Sequence, residues 1–518
     1  MITKDKHSTR NLLLLLLYVG SLAVYAVVRF NGLWGENDMS VLAEMIETMV
    51  KSAELVPANA YTQGYGYPAI ATFLIHMTGI TTTQFQLLLV PLLAAWVVLP
   101  AWLFYRELLR DERLASLATV LLLIQPDLLF VLLRSSHEKF TRGLMLLGYY
   151  LLLRSLRSRQ RLGTFAGLVF AFYATCYALI TVNNLIAISY IVGTALAVLI
   201  LQGVQRVIEG ALSADFLRRM GYVLLTMLLI ALTFTYFIYA PSKVGIDLFT
   251  SIPERISLLF FNATRSDGVG GVNPYRVVGL NWPSTTVYLL LSAANWLVLA
   301  VSGLLWLHTT YQLWRGQVQF HYTQWVLWSL YSAFAAMTAM AILIDASGFL
   351  GANLQLRIFP AFGMLAAPLI AQSVRLPVRG RRTFALLGGM GLTVLCILSV
   401  IKATNEPTIS NNWIFATEQE VEGLNWVRQH GTTGGVWTDY NERINKIYKL
   451  VNVANPVETT LRFTSQAQLA NNLLISDLVR ERSLRFNQPL PVETDHLKVY
   501  DNGSTDIYHR RPKSAFDQ

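Results

Sequence analysis

The sequence predicts a mainly α-helical, polytopic membrane protein with about eleven transmembrane helices and a small C-terminal extracytoplasmic α/β domain. Of its 518 residues, 54% are hydrophobic and only 14% are charged, a composition too apolar for a soluble protein of this length. Apolar runs long enough to cross a bilayer core of ~30 Å recur as far as residue 402. From residue 403 onwards the composition becomes that of a soluble domain.

The transmembrane helices are predicted from the apolar runs at 11–29, 83–105, 114–133, 141–153, 163–181, 184–201, 221–239, 284–307, 324–345, 358–374 and 384–401. The first run is longer than a signal-peptide core and no small-residue cleavage site follows it, so it predicts a retained span. Segment 68–80 is apolar but short, which indicates a partly inserted or interfacial helix.

Basic residues gather in alternate loops and predict the orientation. With a cytoplasmic N-terminus, the Arg-rich segments 106–113, 154–161 and 375–382 all lie in the cytoplasm, as the positive-inside rule requires. The acidic segment 30–68 and the C-terminal tail then lie outside. The same loops account for the net charge of +10, so no nucleic-acid partner is predicted.

Cysteine usage is sparse, since Cys176 and Cys396 both lie in apolar runs. They suggest neither a disulfide framework nor a zinc site. Few cysteines and no sorting signal favour the plasma (inner) membrane of a prokaryote.

The tail shows the pattern of a small α/β domain. Residues 417–431 form an amphipathic pattern with helix start and stop signals, and 434–440 alternate like a strand. Two β-rich runs around Asp-Asn-Gly predict a hairpin at 497–510. We therefore divide the chain into a transmembrane domain, 1–402, and a soluble extracytoplasmic domain, 403–518.

The first outer loop, 30–68, carries Glu36 and Asp38 one residue apart. In an irregular backbone both carboxylates can bind one hard divalent cation. The alternative is a solvated acidic cap. The spacing of Glu44, Glu47 and Glu54 predicts the exposed face of a short amphipathic helix along the membrane.

The turn RSSHEKFTR, 134–142, follows directly on an apolar run, so its ionisable groups lie at or just below the membrane surface. Groups at that depth are costly unless paired or functional. The turn contains one histidine, one acid and three cations: His137, Glu138, Arg134, Lys139 and Arg142. An ordinary helix start capped by Ser135 or Ser136 would explain Glu138 but not the other four.

Two further features lie near the same membrane surface. Arg357 lies at the predicted mouth of a late helix, where its planar fork would suit a phosphate; the alternative is a snorkelling anchor. Tyr65 and Tyr67, in YTQGYGYP, fit an interfacial aromatic belt or sugar and acceptor binding.

The order of these segments resembles the GT-C superfamily of polytopic membrane glycosyltransferases, and distantly the oligosaccharyltransferases. The stretches that carry the resemblance are GENDMSVLAEMIETMVKSAELVP, YGYPAIATFLIHMTGI, RSSHEKFTRGLML, LQLRIFPAFG, TEQEVEGLNWVRQHG, GGVWTDY and KVYDNGSTDIYHR. The resemblance extends over the whole chain and consists of short local motifs.

The resemblance implies inverting transfer of a sugar from a polyprenyl-phosphate-linked donor to a glycan, lipid or protein acceptor on the outer face. The catalytic carboxylates implied are Asp38, Glu36 and Glu138. The groups implied for substrate and lipid-phosphate binding are Arg357, Lys139, Arg142, Tyr65 and Tyr67. The implied ligands of a divalent cation, Mg²⁺ or Mn²⁺, are Asp38, His137 and Glu138.

The alternatives differ in class. Residues 437–441, WTDYN, agree with the oligosaccharyltransferase motif WWDYG at three of five positions, so an oligosaccharyltransferase-like enzyme ranks second. A transporter or flippase of envelope polysaccharide would suit the number of spans, but the predicted spans are nearly free of charge, which disfavours it. A non-catalytic scaffold of the cell envelope is the third alternative.

Overall fold

A computed structural model describes residues 6–29, 37–55, 61–157, 162–207, 214–243, 285–317, 320–346, 354–375, 381–404, 416–431, 435–441, 443–454, 457, 461–485 and 487–511. Glu36 lies outside this part of the chain, and for Asp38 it gives the backbone alone.

In the described part of the chain before residue 405, all regular structure is helical. Its helices are α1 (Lys6–Arg29), α2 (Asn37–Ser52), α3 (Gly66–Thr78), α4 (Thr82–Leu109), α5 (Glu112–Leu123), α6 (Pro126–Leu133), α7 (Glu138–Arg157), α8 (Leu162–Val182), α9 (Asn184–Val207), α10 (Ala214–Thr233, continued by a π turn, Phe234–Ile238), α11 (Thr285–Trp314), α12 (Tyr322–Ala346), α13 (Leu354–Gln372) and α14 (Arg381–Thr404). They confirm a mostly helical, multi-pass architecture.

The number of described helices that are long and apolar enough to span a membrane is smaller than the eleven predicted. Among the described residues six do, or seven if α5 and α6 form one span. Two shorter apolar helices, Arg357–Gln372 and Leu386–Ile401, overlap the last two predicted spans, 358–374 and 384–401.

The predicted span 114–133 is wrong as a single helix. The chain breaks between α5 and α6, whose axes differ by 76°. Gln125 precedes Pro126 and is extended (φ −77°, ψ 126°), because the proline ring disfavours helical backbone at the residue before it. Gln125 Nε2 donates to the carbonyl of Gly363 on α13 at 3.3 Å, so the break is packed inside the bundle.

The tail folds into a five-stranded mixed sheet with helices, as predicted. Its elements are α15 (Glu418–His430), β1 (Gly435–Trp437), α16 (Arg443–Ala454), β2 (Arg462–Thr464), β3 (Ala470–Ser476), α17 (Asp477–Arg485), β4 (His496–Asp501) and β5 (Thr505–Arg510). The strand order is β2-β1-β3-β5-β4, and β1 runs parallel to both neighbours. The predicted hairpin is the antiparallel pair β4–β5.

The start of the tail also follows its sequence signals. Thr417 caps α15 in a capping box with Glu420, and the helix ends before Gly431. These local signals are strong because each satisfies backbone N–H groups that the first turn would otherwise leave exposed.

The tail meets the helical bundle through α16, which packs against α2 and the first turn of α4. Leu450 joins a buried hydrophobic cluster with Met39 and Ala43 of α2 and with Phe130 of α6. The tail and the segment predicted to be the first outer loop therefore lie at the same end of the bundle.

Candidate active site

The turn between α6 and α7 holds a buried ion pair. Arg134 Nη2 lies 3.1 Å from Glu138 Oε1, and their side chains are only 11% and 13% exposed. Ser136 Oγ accepts from Arg134 Nε at 3.2 Å and from the Glu138 N–H at 3.5 Å. Ser136 thus lies beside the first N–H of α7, and the acid is also bound to a cation.

Arg142 lies one turn further along α7 and is 1% exposed. Its Nη2 donates to the main-chain carbonyl of Arg357 at 2.8 Å, which joins α7 to the start of α13. The Arg357 side chain is exposed, and its charge is close enough to interact with both Glu138 and Arg142. Among the described residues, neither arginine forms an ion pair within 4 Å.

Lys139, which the sequence suggested as a phosphate-binding residue, binds backbone carbonyls instead. Its ammonium is fully buried and donates to the carbonyls of Val90 at 2.7 Å and Arg134 at 2.9 Å. Trp96 Nε1 donates to the Lys139 carbonyl at 3.3 Å. Lys139 therefore ties the turn to the irregular middle of α4.

His137 is held by Asn183, at the junction of α8 and α9. The Asn183 side chain accepts from the Ile186 N–H at 2.9 Å, which fixes the orientation of its amide. Its Nδ2 donates to Gln63 Oε1 at 2.9 Å and lies 2.5 Å from His137 Nε2. Because an amide nitrogen can only donate, His137 Nε2 accepts in this contact.

The segment before α3 closes over this junction. The Asn184 N–H donates to the Gln63 carbonyl at 2.7 Å. A Cβ on Gly64 would lie 2.1 Å from the Thr181 carbonyl oxygen, and one on Gly66 would lie 2.8 Å from Thr181 Oγ1. Glycine at both positions lets the two backbones touch.

The two predicted tyrosines differ in environment. Tyr67 is 1% exposed and donates to Gln86 Oε1 at 2.9 Å, so it belongs to the core. Tyr65 is half-buried, and its hydroxyl lies 3.2 Å from that of Tyr177. Its ring packs 5.3 Å from that of Tyr239, which makes Tyr65 part of an aromatic wall.

Asp38 lies in the first turn of α2, directly before the buried Met39. The predicted amphipathic helix is confirmed as α2, although Glu54 follows its end. Glu47 accepts from Thr82 Oγ1 at 2.6 Å, which holds α2 against the start of α4.

The cluster around Glu138 suits an anion better than a cation. It contains Arg134, Arg142 and Arg357 within electrostatic range of one carboxylate, and His137 Nε2 is bound to Asn183. Among the residues described, no three His, Cys, Asp or Glu side chains form a metal-ligand group. A divalent ion would meet cationic repulsion beside His137 and Glu138. The metal site predicted from Asp38, His137 and Glu138 stays a prediction, because the Asp38 side chain lies outside the described residues, and no catalytic step is derived through it.

In the tail, the residues predicted to resemble WWDYG form a turn at the C-terminal end of β1. Tyr440 is left-handed, with φ 63°. Asn441 Nδ2 donates to Glu420 Oε1 at 3.1 Å and to Ser476 Oγ at 3.3 Å. Arg443 binds the same Glu420 carboxylate. Burial lowers the pKa of Arg443, and the Glu420 charge offsets part of this effect.

Sequence reasoning missed Asn183 and Gln63. The signal was present for the former, because Asn183-Asn184 is a polar pair between two apolar runs. Buried amides usually have hydrogen-bond partners, but their identity depends on residues far away in the chain.

No protein-family model matches the sequence, and no curated protein matches it. The structure is similar to the oligosaccharyltransferase of Archaeoglobus fulgidus in the apo form, with a TM-score of 0.57 and 13% identity over 94% of this chain and 69% of that chain. The same archaeal enzyme, AglB, in complex with an inhibitory peptide and a dolichol-phosphate gives 0.54 and 14% over 86% of this chain. Its complex with Zn and sulfate gives 0.55 and 14%, covering 96% of this chain and 74% of that chain.

This chain covers 65% of the length of AglB in the inhibitory complex. The likeness nevertheless includes both the helical bundle and the tail, since nearly the whole of this chain is aligned. The chain therefore shares the fold of this archaeal oligosaccharyltransferase.

Proposed function

We propose that this protein is a membrane glycosyltransferase that moves a sugar from a polyprenyl-phosphate-linked donor to an acceptor on the outer face of the membrane. The fold supports a glycosyltransferase at the superfamily level. The observation that carries the proposal is the arginine pair formed by buried Arg142 and exposed Arg357, joined through a main-chain hydrogen bond.

The arginine pair suits a phosphate at the membrane surface. A buried guanidinium without a bound carboxylate costs several kcal/mol unless an anion compensates it. Glu138 compensates Arg142 only in part, because its carboxylate is bound to Arg134. A phosphate that enters beside Arg357 would meet one exposed and one buried cation, and hydrogen bonds between a guanidinium and a phosphate are strong because both groups are charged.

Asp38 is proposed as the general base. The Asp38 carboxylate takes a proton from the acceptor, and the acceptor attacks the anomeric carbon of the sugar. The bond from that carbon to the phosphate oxygen breaks, and the phosphate leaves with the electron pair. Arg357 stabilises the negative charge that develops on the leaving group, and attack opposite the phosphate inverts the anomeric centre. Glu36 is the second carboxylate of this loop.

Other predicted residues have supporting roles in this proposal. Glu138 orients Arg134 and limits the excess positive charge, and Lys139 braces the turn through backbone carbonyls. Tyr65 lines the approach to the site as part of the aromatic wall, whereas Tyr67 supports the core.

A second candidate is an oligosaccharyltransferase-like enzyme that glycosylates protein. The turn at 437–441 lies at the C-terminal end of a parallel strand where the strand order reverses, a common place for ligands in α/β sheets. Asn441 is buried and bound to Glu420 and Ser476, so it takes part in the fold of the domain. Peptide recognition there would depend on the remaining residues of the turn.

The test is donor turnover by the purified protein in lipid nanodiscs. Polyprenyl-phosphate donors with one or two phosphates and a panel of sugars would be incubated with lipid and peptide acceptors. Release of polyprenyl phosphate together with a glycosylated acceptor supports the proposal. A protein that translocates intact donor across vesicles without breaking it would instead be a flippase, and the proposal would fail.

A further inference from the structure

The helix that carries Asp38 is held between the bundle and the tail. One face of α2 presents Leu42 and Ile46, both 0% exposed, to a cluster built by α3 and α4. Another presents Met39 and Ala43 to the cluster that contains Leu450. The position of α2 therefore depends on two separate hydrophobic contacts.

The second contact reaches closest to the proposed base. Met39 follows Asp38 directly and is 1% exposed, so it anchors the first turn of α2. Leu450 is 4% exposed in the same cluster. Lys449 Nζ lies 3.6 Å from Glu44 Oε2 on the adjoining surface, and this half-exposed pair adds orientation rather than much energy.

The helix α16 has a second face directed into the tail. Ile444 and Ile447 are each 1% exposed and belong to the core of the tail domain. At its first residue, Arg443 Nε donates to Asn441 Oδ1 at 2.9 Å. The helix α16 therefore links the turn 437–441, through Arg443, to the contact with α2, through Leu450.

We infer that α16 is a positioning element, and that Leu450 sets the placement of Asp38 by packing in the Met39 cluster. In this way the tail domain controls the transfer step, and a ligand that displaces the 437–441 turn would alter the position of the base. The inference rests on the proposed function, because it assumes that Asp38 acts on the acceptor.

The predicted effect is on turnover rather than on donor affinity. Removal of the Leu450 side chain leaves a gap in the cluster that contains Met39, and a displacement of about 1 Å at a reacting group can cost ~10²-fold in rate. Among the described residues, α7 and α13, which carry Arg142 and Arg357, contribute none to this cluster, so the KM for the donor should change little. A merely structural loss of the tail would reduce the amount of folded protein instead.

The experiment compares Leu450→Ala with three matched variants. Ile447→Ala removes a side chain from the tail face of the same helix, Leu484→Ala removes an exposed leucine (82% exposed) of α17, and Leu450→Met keeps the volume. Each is measured for kcat, donor KM, and hydrogen exchange of residues 37–52. We expect Leu450→Ala to lower kcat and speed exchange in α2, Leu450→Met to restore both, and Leu484→Ala to behave as the parent protein.

Unchanged exchange in α2, or faster exchange with unchanged kcat, would overturn the inference. An equal loss of kcat in Ile447→Ala with no change in α2 exchange would also overturn it, since the tail would then act by another route. Asp38→Asn is measured alongside. If it retains full transfer, Asp38 is not the general base and the proposed function fails, whatever the exchange data show.

Discussion

Arg142 on α7 donates a hydrogen bond to the main-chain carbonyl of Arg357 on α13, at 2.8 Å. The two residues are 215 positions apart in the chain, so the bond brings together segments that the sequence shows only separately. One guanidinium is buried and the other exposed. One positive charge therefore lies in the protein interior and the other at its surface.

Replacement of Arg357 by alanine should weaken donor binding. A charge-assisted hydrogen bond contributes about 1.5–3 kcal/mol, so the KM for a polyprenyl-phosphate-linked donor should rise roughly 10- to 100-fold. Arg357→Lys should recover part of the loss, since it keeps the charge without the fork. The control is Arg315→Ala, an exposed arginine after α11; equal effects of both alanine variants would show a general charge effect only.

Replacement of Glu138 by glutamine should lower the stability of the folded protein. It leaves Arg134 without its ion-pair partner and Arg142 without the Glu138 charge that acts on it, and loss of one partner of a buried pair costs about 3–5 kcal/mol. Glu112→Gln is the matched control, because the Arg106–Glu112 pair is 3.9 Å long and more than a third exposed, where such a pair contributes at most about 1 kcal/mol. Thermal unfolding in detergent measures both, and similar shifts would contradict the buried pairing.

The sequence predicted the helices better than it predicted the site. Apolar runs placed most helices, because burial in lipid or protein demands long stretches of apolar residues. The break at Gln125 was indicated only by Pro126, which alone does not separate a kink from a new helix. The roles of Lys139 and Asn183 could not be predicted, because carbonyls and amides from distant segments decide them.

A methyl group at Gly64 should disrupt the closure of the segment before α3. Gly64 has φ +151°, and an added Cβ would lie 2.1 Å from the Thr181 carbonyl oxygen. Because the obstacle is backbone, Gly64→Ala should destabilise the protein by at least about 1–3 kcal/mol. Gly163→Ala is the control, since nothing lies within 4 Å of its Cβ position. A Gly64→Ala protein with the thermal stability of the control would refute this close approach.

Removal of divalent cations should leave lipid-phosphate binding intact. The described cluster is rich in arginine around one acid, so the phosphate charge is balanced by the protein itself. The measurement is the binding of polyprenyl phosphate to protein in nanodiscs, before and after treatment with EDTA. Loss of binding on chelation, with recovery on addition of Mn²⁺ or Mg²⁺, would support instead the metal site expected from the sequence.

The proposed role of Asp38 is tested most directly by the transfer rate of Asp38→Asn. A general base contributes about 10²–10⁴-fold to the rate, so kcat should fall by that factor while the KM for the donor and hydrogen exchange in α2 remain those of the parent. Glu54→Gln, an exposed acid just beyond the same helix, should retain full activity. A transfer rate in Asp38→Asn equal to that of Glu54→Gln would contradict the account.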